Sequence, residues 1–244
     1  MNNEIMICLA EIPIAVYSDS GYMADFCRSY LSDKSPLFSV STTKEAVTAE
    51  VNNAPEPTTY EYAEALCLYR EMAERLPLYD RVVFHGAAVE YGGKAYLFTA
   101  PSGTGKTTHI ALWRKYLGEN VNIINGDKPI LRLTENGFTV YGTPFAGKEH
   151  WQRNVSAPLG GICFLSQGKD NKIKKTESGM FVSLFQQTYK PHGKEAMQRT
   201  LSIVKELCRV PCFTLSCDIS ENAVKASFEA LTNEKYEVKT NENK

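Results

Sequence analysis

One short loop constrains the fold of this chain more than any other stretch. In YLFTAPSGTGKTTHI, residues 96–110, an apolar run ends at Ala-Pro-Ser and is followed by Gly103-x-Gly105-Lys106-Thr107. The run before the loop has the composition of a buried strand. The sequence after it, HIALWRKYLG, repeats apolar residues at helical spacing and ends at a glycine. A strand, a glycine-rich loop and a helix in this order predict an α/β fold with a phosphate-binding loop.

The residue types in this loop suit a nucleotide phosphate chain. Glycines let backbone N–H groups converge on phosphate oxygens, and the N-terminus of the following helix adds partial positive charge. Lys106 can reach the β- and γ-phosphates, and the Thr107 hydroxyl can ligate Mg²⁺. Ala100 breaks the strict pattern G-x-x-x-x-G-K-[ST] at its first position, but alanine is small enough to replace glycine where no positive φ is needed. The loop therefore predicts a nucleotide site.

The rest of the sequence predicts two units of α/β structure. Residues 4–17 have the composition of a strand. VNNAPEPTT, residues 51–59, has no apolar periodicity and is typical of a linker. We therefore expect a small N-terminal α/β lobe over residues 1–57 and an α/β domain with a mixed sheet over residues 58–239. The polar tail, residues 240–244, should fray.

Beyond the linker, helical and extended segments alternate. Thr58 and Glu61 have the spacing of a helix-capping box, and the helix that follows should stop before Pro77. RVVFHGAAVEY, residues 81–91, predicts a strand, and the Gly-Gly pair after it predicts a hairpin to the strand that enters the loop. Further helices are predicted at residues 179–189, 194–208 and 221–232.

Composition excludes several classes of function. The 27 Lys and Arg residues nearly balance 28 Asp and Glu, so no general attraction to nucleic acid or to an anionic membrane is expected. No apolar run approaches the roughly 18 residues that a membrane helix needs, and the N-terminal stretch lacks the basic residues of a signal peptide. The seven cysteines are odd in number and lie among apolar neighbours, as expected for buried thiols of a cytoplasmic protein.

A carboxylate that could hold the metal follows the next apolar run. In VNIINGDKPIL, Asp127 comes directly after the predicted strand, where phosphate-transferring enzymes place such carboxylates. Asn-Gly-Asp before Lys-Pro is also good turn chemistry, so a purely structural turn is the alternative. Lys128 follows and either joins the same cluster or is solvated.

Four segments, in order, resemble the HPr kinase/phosphorylase-like family of P-loop serine kinases. They are FHGAAVEYGGKAYLF, APSGTGKTT, IINGDKPIL and YGTPFAGKEH, and they fall roughly within residues 81–165. That family shares its fold with ATP-dependent phosphoenolpyruvate carboxykinases, whose loop GTGKTT is matched letter for letter by residues 103–108. The resemblance implies a compact, cytoplasmic bacterial kinase with a mixed-sheet P-loop core of the HPr kinase and phosphoenolpyruvate carboxykinase type.

The resemblance also implies roles for individual residues. The loop that wraps the ATP phosphates is matched by Ser102, Gly103, Thr104, Gly105, Lys106, Thr107 and Thr108. Asp127 matches an acidic motif that would hold Mg²⁺ together with Thr107, and His85 matches a His-Gly pair before the loop strand. In that family the acidic motif is commonly Asp-Asp, with one carboxylate on the metal side and one acting on the acceptor hydroxyl. Gly126 stands beside Asp127 here, so one carboxylate is absent.

Several residues are candidates for acting on the acceptor hydroxyl in place of the absent carboxylate, or for contacting the acceptor. His85 can accept a proton near neutral pH if it faces the site, although it is equally compatible with a hydrogen-bonded core histidine. Glu149 and His150 are the other candidates for acting on the acceptor hydroxyl. They lie in GTPFAGKEHWQRN, residues 142–154, which suits a lid or acceptor surface as well as a solvated loop. The candidates for substrate contact are Lys128, Lys148, Glu149 and Arg153.

Together these patterns predict an ATP- and Mg²⁺-dependent kinase that transfers the γ-phosphate to a hydroxyl, with Lys106, Asp127 and His85 as its catalytic residues. The expected acceptor is a serine of a protein or peptide, and a small-molecule hydroxyl is the alternative. A third alternative is an ATP-binding regulatory module with little turnover. A protein kinase needs an open groove beside the γ-phosphate and often forms homo-oligomers to build one, whereas a small-molecule kinase needs an enclosed pocket.

Overall fold

Two β-sheets divide the chain into a smaller N-terminal part and a larger C-terminal part. The computed structural model describes residues 3–176 and 178–237 and shows an α/β fold with seven α-helices and twelve strands among them. No helix in these two ranges has the length and apolar character that crossing a membrane requires. The tail expected to fray, residues 240–244, lies outside the described residues.

The N-terminal sheet has three strands. They are β1 (Asn3–Leu9), β2 (Ile12–Ser18) and β3 (Phe38–Ser41). β1 and β2 are antiparallel, and β2 and β3 are parallel. The prediction of one strand over residues 4–17 is wrong, because the chain reverses at Ala10 and Glu11, which have φ values of 48° and 66°. Neither residue is the Gly or Asn that usually marks such a turn, so the sequence carried no signal for it.

Three helices accompany this sheet. They are α1 (Tyr22–Phe26), α2 (Lys44–Asn53) and α3 (Tyr60–Arg75). α2 was not predicted, and its last residues occupy the start of the segment interpreted as a linker. α3 begins one residue later than the capping box indicated, because the Thr59 hydroxyl, not that of Thr58, accepts from the Tyr62 N–H. It ends before Pro77, as predicted.

α3 packs against the N-terminal sheet. Leu68, Met72 and Leu76 are completely buried, in one core with Ile7 and Ile14 of the first two strands. Most of the stability of a helix in a protein comes from packing such an apolar face. The helix that opens the predicted second domain therefore contacts the first.

The larger sheet contains nine strands. They are β4 (Arg81–Val83), β5 (Ala87–Tyr91), β6 (Lys94–Thr99), β7 (Val121–Asn125), β8 (Ile130–Thr134), β9 (Gly137–Tyr141), β10 (Ser156–Gln167), β11 (Lys172–Thr176) and β12 (Cys212–Cys217). Their order is β4-β8-β9-β10-β6-β5-β7, and β12 pairs with β10 and β11. The single strand predicted over residues 81–91 is two strands, because β4 pairs with β8 whereas β5 pairs with β6 and β7. The predicted Gly-Gly hairpin joins β5 to β6.

Strand directions bring several loops to one edge of this sheet. β6, β10 and β12 are parallel, and β7 runs in the same direction because β5 is antiparallel to both β6 and β7. The carboxyl ends of these four strands therefore meet at one edge, where β5 begins. In open α/β sheets ligands bind at such an edge.

Helices cover both faces of the larger sheet. They are α4 (Lys106–Leu117), α5 (Phe181–Gln187), α6 (Lys194–Leu207) and α7 (Glu221–Thr232). Trp113 of α4 and Phe228 of α7 pack on the face that carries Phe98, whereas Leu184 and Ile203 of α5 and α6 pack on the opposite face. The helix predicted at residues 221–232 is confirmed in full.

Candidate functional site

The loop between β6 and α4 has a backbone shaped to surround an anion. Gly103 and Gly105 have φ values of 78° and 112°, which favour glycine. No atom lies within 4 Å of where their Cβ atoms would be, so backbone conformation, not crowding, selects glycine at both positions. Gly105 caps α4 and Lys106 begins it, so the unpaired first N–H groups of that helix face the loop.

Lys106 folds back over its own loop. Its Nζ donates to the Ala100 carbonyl at 3.0 Å, and the side chain is buried. Burial lowers the pKa of Lys106, and the nearby Asp127 carboxylate opposes that shift. Ala100 is not at a positive φ, which is why alanine is tolerated where the strict pattern has glycine.

Two hydrogen bonds tie three strand ends together beside this loop. The Thr99 hydroxyl at the end of β6 donates to the His85 carbonyl at 2.8 Å. The Gly86 N–H, just before β5, donates to the Asp127 carbonyl at 2.9 Å. These bonds hold the end of β6, the start of β5 and the end of β7 at fixed positions. A site that orients reacting groups requires such fixed positions.

Asp127 lies at the centre of a charged cluster. Its Oδ1 is 3.5 Å from His85 Nε2, and its Oδ2 contacts Lys128 Nζ. Asn125, fully buried, accepts from the N–H groups of Asp127 and Lys128 at 2.9 and 2.7 Å. The turn considered as an alternative is thus present, and the same turn directs the Asp127 carboxylate toward His85.

The His85 ring has an oxygen acceptor near each of its two nitrogens. Its Nδ1 is 3.1 Å from Gln187 Oε1. Gln187 Oε1 and Asp127 Oδ1 both accept, and the Gln187 oxygen is the nearer, so the tautomer with its hydrogen on Nδ1 satisfies the shorter contact and leaves Nε2 free to accept a proton. Burial, and then Lys106, lower the pKa of His85 below its usual value, and Asp127 opposes them. The ring can therefore accept a proton at Nε2, beside the Asp127 carboxylate.

The absence of a second carboxylate has a steric cause. A Cβ at Gly126 would lie 2.7 Å from the Ala146 carbonyl oxygen, because the loop of residues 142–154 packs directly on this turn. Gly147 of the same loop has a φ of 78°, and a Cβ there would lie 3.3 Å from the Cβ of Asp127. The backbone around Asp127 therefore leaves no space for an acidic side chain at position 126.

The four candidates for substrate contact separate in the structure. Lys128 alone among them contacts Asp127, within the part of the chain that is described. Lys148 is exposed and its Nζ donates to Glu56 Oε1 at 2.6 Å. Arg153 donates to Asn122 Oδ1 at 2.8 Å, near the start of β7 and so at the opposite end from Asp127. Glu149 is exposed on the loop between them.

A cavity of about 570 Å³ opens beside the glycine loop. It lies between the start of α4 and the loops that follow β10 and β12. Leu112 and Leu165 give it apolar walls, Lys169 and Asp218 add charges, and Ile219, 76% exposed, lies at its rim. Its volume is typical of ligand pockets. No motif marks these residues in the sequence; their signal is their position after the carboxyl ends of strands parallel to β6.

The residues present fit a Mg²⁺ ion that arrives with a nucleotide. Across residues 3–176 and 178–237, no group of three His, Cys, Asp or Glu side chains could hold a metal without other ligands. Mg²⁺ is usually held by one or two protein oxygens together with substrate phosphates and water. The Thr107 hydroxyl in the first turn of α4 and the Asp127 carboxylate are such oxygens.

Comparison with known proteins adds little to this description. No protein-family model matches the chain, and no curated protein matches its sequence. The solved structure of the Hpr(Ser) kinase/phosphatase from Coxiella burnetii is similar to it, with a TM-score of 0.37 and 12% sequence identity over 62% of this chain and 88% of that one. A likeness this weak supports no argument about function.

Proposed function

We propose that this chain is an ATP- and Mg²⁺-dependent kinase that transfers the γ-phosphoryl group to a hydroxyl. The observation that carries the proposal is the convergence of Lys106, Asp127 and His85 at the edge of the sheet where the glycine loop ends. A phosphate chain bound by the loop and the N-terminus of α4 would direct its last phosphoryl group toward these three side chains.

Lys106 would supply positive charge to the phosphates. Its present partner is the Ala100 carbonyl, and β- and γ-phosphate oxygens are stronger acceptors for an ammonium group. Charge that develops on the transferred group is stabilised best by donors that are already in place. Bound Mg²⁺, held by Thr107 and Asp127 with the nucleotide, would add further screening of the phosphate charge.

His85 and Asp127 would handle the proton of the acceptor. A lone pair of the acceptor oxygen forms a bond to the γ-phosphorus, and the bond to the β,γ-bridging oxygen breaks with its electron pair left on ADP. The hydroxyl proton passes to His85 Nε2, and the Asp127 carboxylate at 3.5 Å stabilises the imidazolium that results. This arrangement needs one carboxylate, where the resembling family commonly has two.

The cavity of about 570 Å³ beside the loop would take the base and ribose. It shares Gly103, Thr104 and Gly105 with the loop, so a nucleoside there is continuous with phosphates on the loop. We further propose a cytoplasmic protein, because all seven cysteines are free thiols, as a reducing compartment favours, and a bacterial one, because the sequence resembles a bacterial kinase family.

The test is ATP binding and turnover with matched variants. Lys106→Ala should lose both, and Asp127→Asn should keep binding but lose about a hundredfold in turnover. Lys115→Ala, on the exposed side of α4, and Asp170→Asn, on an exposed loop, are the matched controls and should behave as wild type. If turnover survives Lys106→Ala, the kinase proposal fails.

A second candidate is an ATP-binding regulatory module with little turnover, because Gly126 leaves no space for a second carboxylate. It predicts ordinary ATP affinity that depends on Lys106 and negligible phosphoryl transfer with any acceptor. Asp127→Asn would then leave the turnover at its basal level, whereas the kinase proposal requires a loss. The same set of variants therefore separates the two candidates.

A further inference from the structure

A second cleft, of about 220 Å³, reaches the catalytic cluster from the side of α3. α3, β4 and the segment of residues 186–189 form its walls, and His85 and Lys128 of the cluster line it. Pockets for drug-sized ligands begin at roughly 300 Å³, which is larger than this cleft. Its occupant should therefore be compact.

The walls of the cleft are mainly carbon. The polar ends of its two tyrosines are turned to other partners, because the Tyr69 hydroxyl donates to the Lys128 carbonyl at 3.0 Å and the Tyr189 hydroxyl donates to Glu74 Oε1 at 2.9 Å. The rings of both tyrosines are therefore available for apolar contact. The aliphatic lining residues are Leu66, Ala73 and Val83.

The two cationic side chains that line the cleft, Arg70 and Lys128, are each paired with a carboxylate. Arg70 makes two bonds of 2.7 Å to the Glu50 carboxylate, and Lys128 contacts the Asp127 carboxylate. No Asp or Glu is among the lining residues in the described ranges. A carboxylate or phosphate on a ligand would have to displace Glu50 from Arg70 or Asp127 from Lys128. The cleft therefore suits a neutral ligand.

The polar end of the cleft is the catalytic end. His85 lines it together with Gln187, whose Oε1 fixes the ring through Nδ1 at 3.1 Å. His85 Nε2 lies 3.5 Å from Asp127 Oδ1. A hydroxyl at this end would be next to the group proposed to take its proton.

We propose that this cleft binds the phosphoryl acceptor, and that the acceptor is a compact, neutral alcohol with a mainly apolar body. The inference rests on the kinase activity proposed above. In the transfer, the alcohol oxygen bonds to the γ-phosphorus, ADP leaves with the bridging oxygen and its electron pair, and the alcohol proton passes to His85. The products are a phosphate monoester and ADP. A serine on a protein would leave the apolar walls uncovered.

The experiment uses benzyl alcohol as the probe, with 4-(hydroxymethyl)benzoate as its anionic analogue and a serine-containing peptide as a third acceptor. Gln186→Trp places a large ring in the cleft from an exposed position of α5, and Gln198→Trp, exposed on α6, is the matched control. Binding of each probe is measured without nucleotide by calorimetry. ATP-dependent phosphorylation of each is measured separately.

We expect benzyl alcohol to bind and to be phosphorylated, and Gln186→Trp to weaken both by about tenfold or more without changing ATP affinity. The anionic analogue should bind about tenfold more weakly than benzyl alcohol. Gln198→Trp should change neither. Two results together would overturn the inference: no binding of benzyl alcohol, and phosphoryl transfer to the serine peptide at the same rate in Gln186→Trp as in wild type. The kinase proposal would not be affected by them.

A different result would identify failure of the kinase proposal itself. Benzyl alcohol that binds in a Gln186→Trp-sensitive manner, with no Lys106-dependent turnover, would show a ligand cleft in a protein that is not a kinase. The proposal that the cleft binds a phosphoryl acceptor would then be wrong together with the kinase proposal. The calorimetric measurement keeps these two failures apart because it needs no turnover.

Discussion

At the scale of single residues, Gly126 determines how the candidate site can be built. A Cβ at this buried position would lie 2.7 Å from the Ala146 carbonyl, and any larger side chain must displace that backbone. Gly126→Asp should therefore lower the free energy of unfolding by about 1–3 kcal/mol and should not raise the rate of phosphoryl transfer. Urea unfolding and an ATP turnover assay on the same preparation measure both quantities.

The matched control for this substitution is Gly21→Asp. Gly21 has nothing within 4 Å of its Cβ position and a φ of −71°, so the same new side chain meets open space there. Its stability should stay within about 0.5 kcal/mol of wild type. Faster transfer by Gly126→Asp at full stability would mean that the loop of residues 142–154 moves aside and that the site admits a second carboxylate.

The lowered pKa of His85 leads to a prediction about how the rate of phosphoryl transfer depends on pH. Burial and Lys106 lower the pKa of His85 below its usual value, so the ring gains a proton only in more acidic solution than an ordinary histidine does. Transfer rates should be level above pH 7 and fall as the pH drops through the lowered pKa of His85, because a protonated ring cannot accept the acceptor proton. The measurement is kcat/KM for wild type and His85→Asn between pH 5 and 8, with a loss of about a hundredfold at pH 7 in the variant.

His150 is the competing candidate for the same part. It is exposed and has a φ of 52°, which asparagine also tolerates, so His150→Asn changes the side chain without straining the turn. This variant should keep the wild-type pH profile. The opposite result would be a pH profile of kcat/KM that no longer falls at low pH in His150→Asn but is unchanged in His85→Asn. It would show that His150, not His85, accepts the proton.

At the scale of elements, the contact between α4 and α7 depends on a neutral histidine. His109 Nε2 is 3.0 Å from Ser227 Oγ, and Trp113 Nε1 donates to the same oxygen at 2.8 Å. Burial lowers the pKa of His109 to about 4. Between pH 6.5 and pH 4 the unfolded chain therefore binds a proton that the folded chain excludes.

Stability should consequently fall as the pH drops through this window. The loss is about 1.4 kcal/mol per pH unit, or about 3 kcal/mol in total from His109, and it stops below pH 4. Urea unfolding at pH 7 and pH 4.5 should show a smaller difference for His109→Gln than for wild type. His150→Asn, at an exposed position whose φ of 52° asparagine tolerates, is the control. Equal pH dependence in wild type and His109→Gln would contradict a buried neutral ring.

Local signals account for the elements that could be predicted from the sequence. The loop, α4 and the carboxylate after β7 are contiguous stretches, and glycines or apolar periodicity mark each of them. The β1–β2 turn was missed because Ala10 and Glu11 take positive φ without a turn residue. β4 and β5 were predicted as one strand because their separation depends on partners, β8 for the first and β6 for the second, that periodicity does not show.

At the scale of the whole molecule, α3 joins the N-terminal sheet to the candidate site. Tyr69 stacks on Phe145 of the loop over Gly126, with ring centroids 3.8 Å apart, and its hydroxyl reaches the Lys128 carbonyl. The same helix forms a wall of the second cleft. The sequence could not predict this cleft, because its walls come from α3, β4 and residues 186–189, which are far apart in the chain.

This placement of α3 gives a prediction about domain boundaries. A chain that starts at residue 58, the boundary expected from the sequence, lacks β1 to β3, α1 and α2 and exposes the side chains of Leu68, Met72 and Leu76. Each of these is fully buried in the whole protein, and burial of such a side chain contributes roughly 1.5–3 kcal/mol. The shortened chain should bind a hydrophobic dye, aggregate and lose a cooperative thermal transition.

The same chain with Leu68→Gln and Met72→Gln is the control, and it should bind less dye, because the exposed face is then polar. A chain from residue 58 that unfolds cooperatively near the wild-type temperature, without dye binding, would show that α3 needs no N-terminal sheet and that the boundary lies where the linker composition placed it.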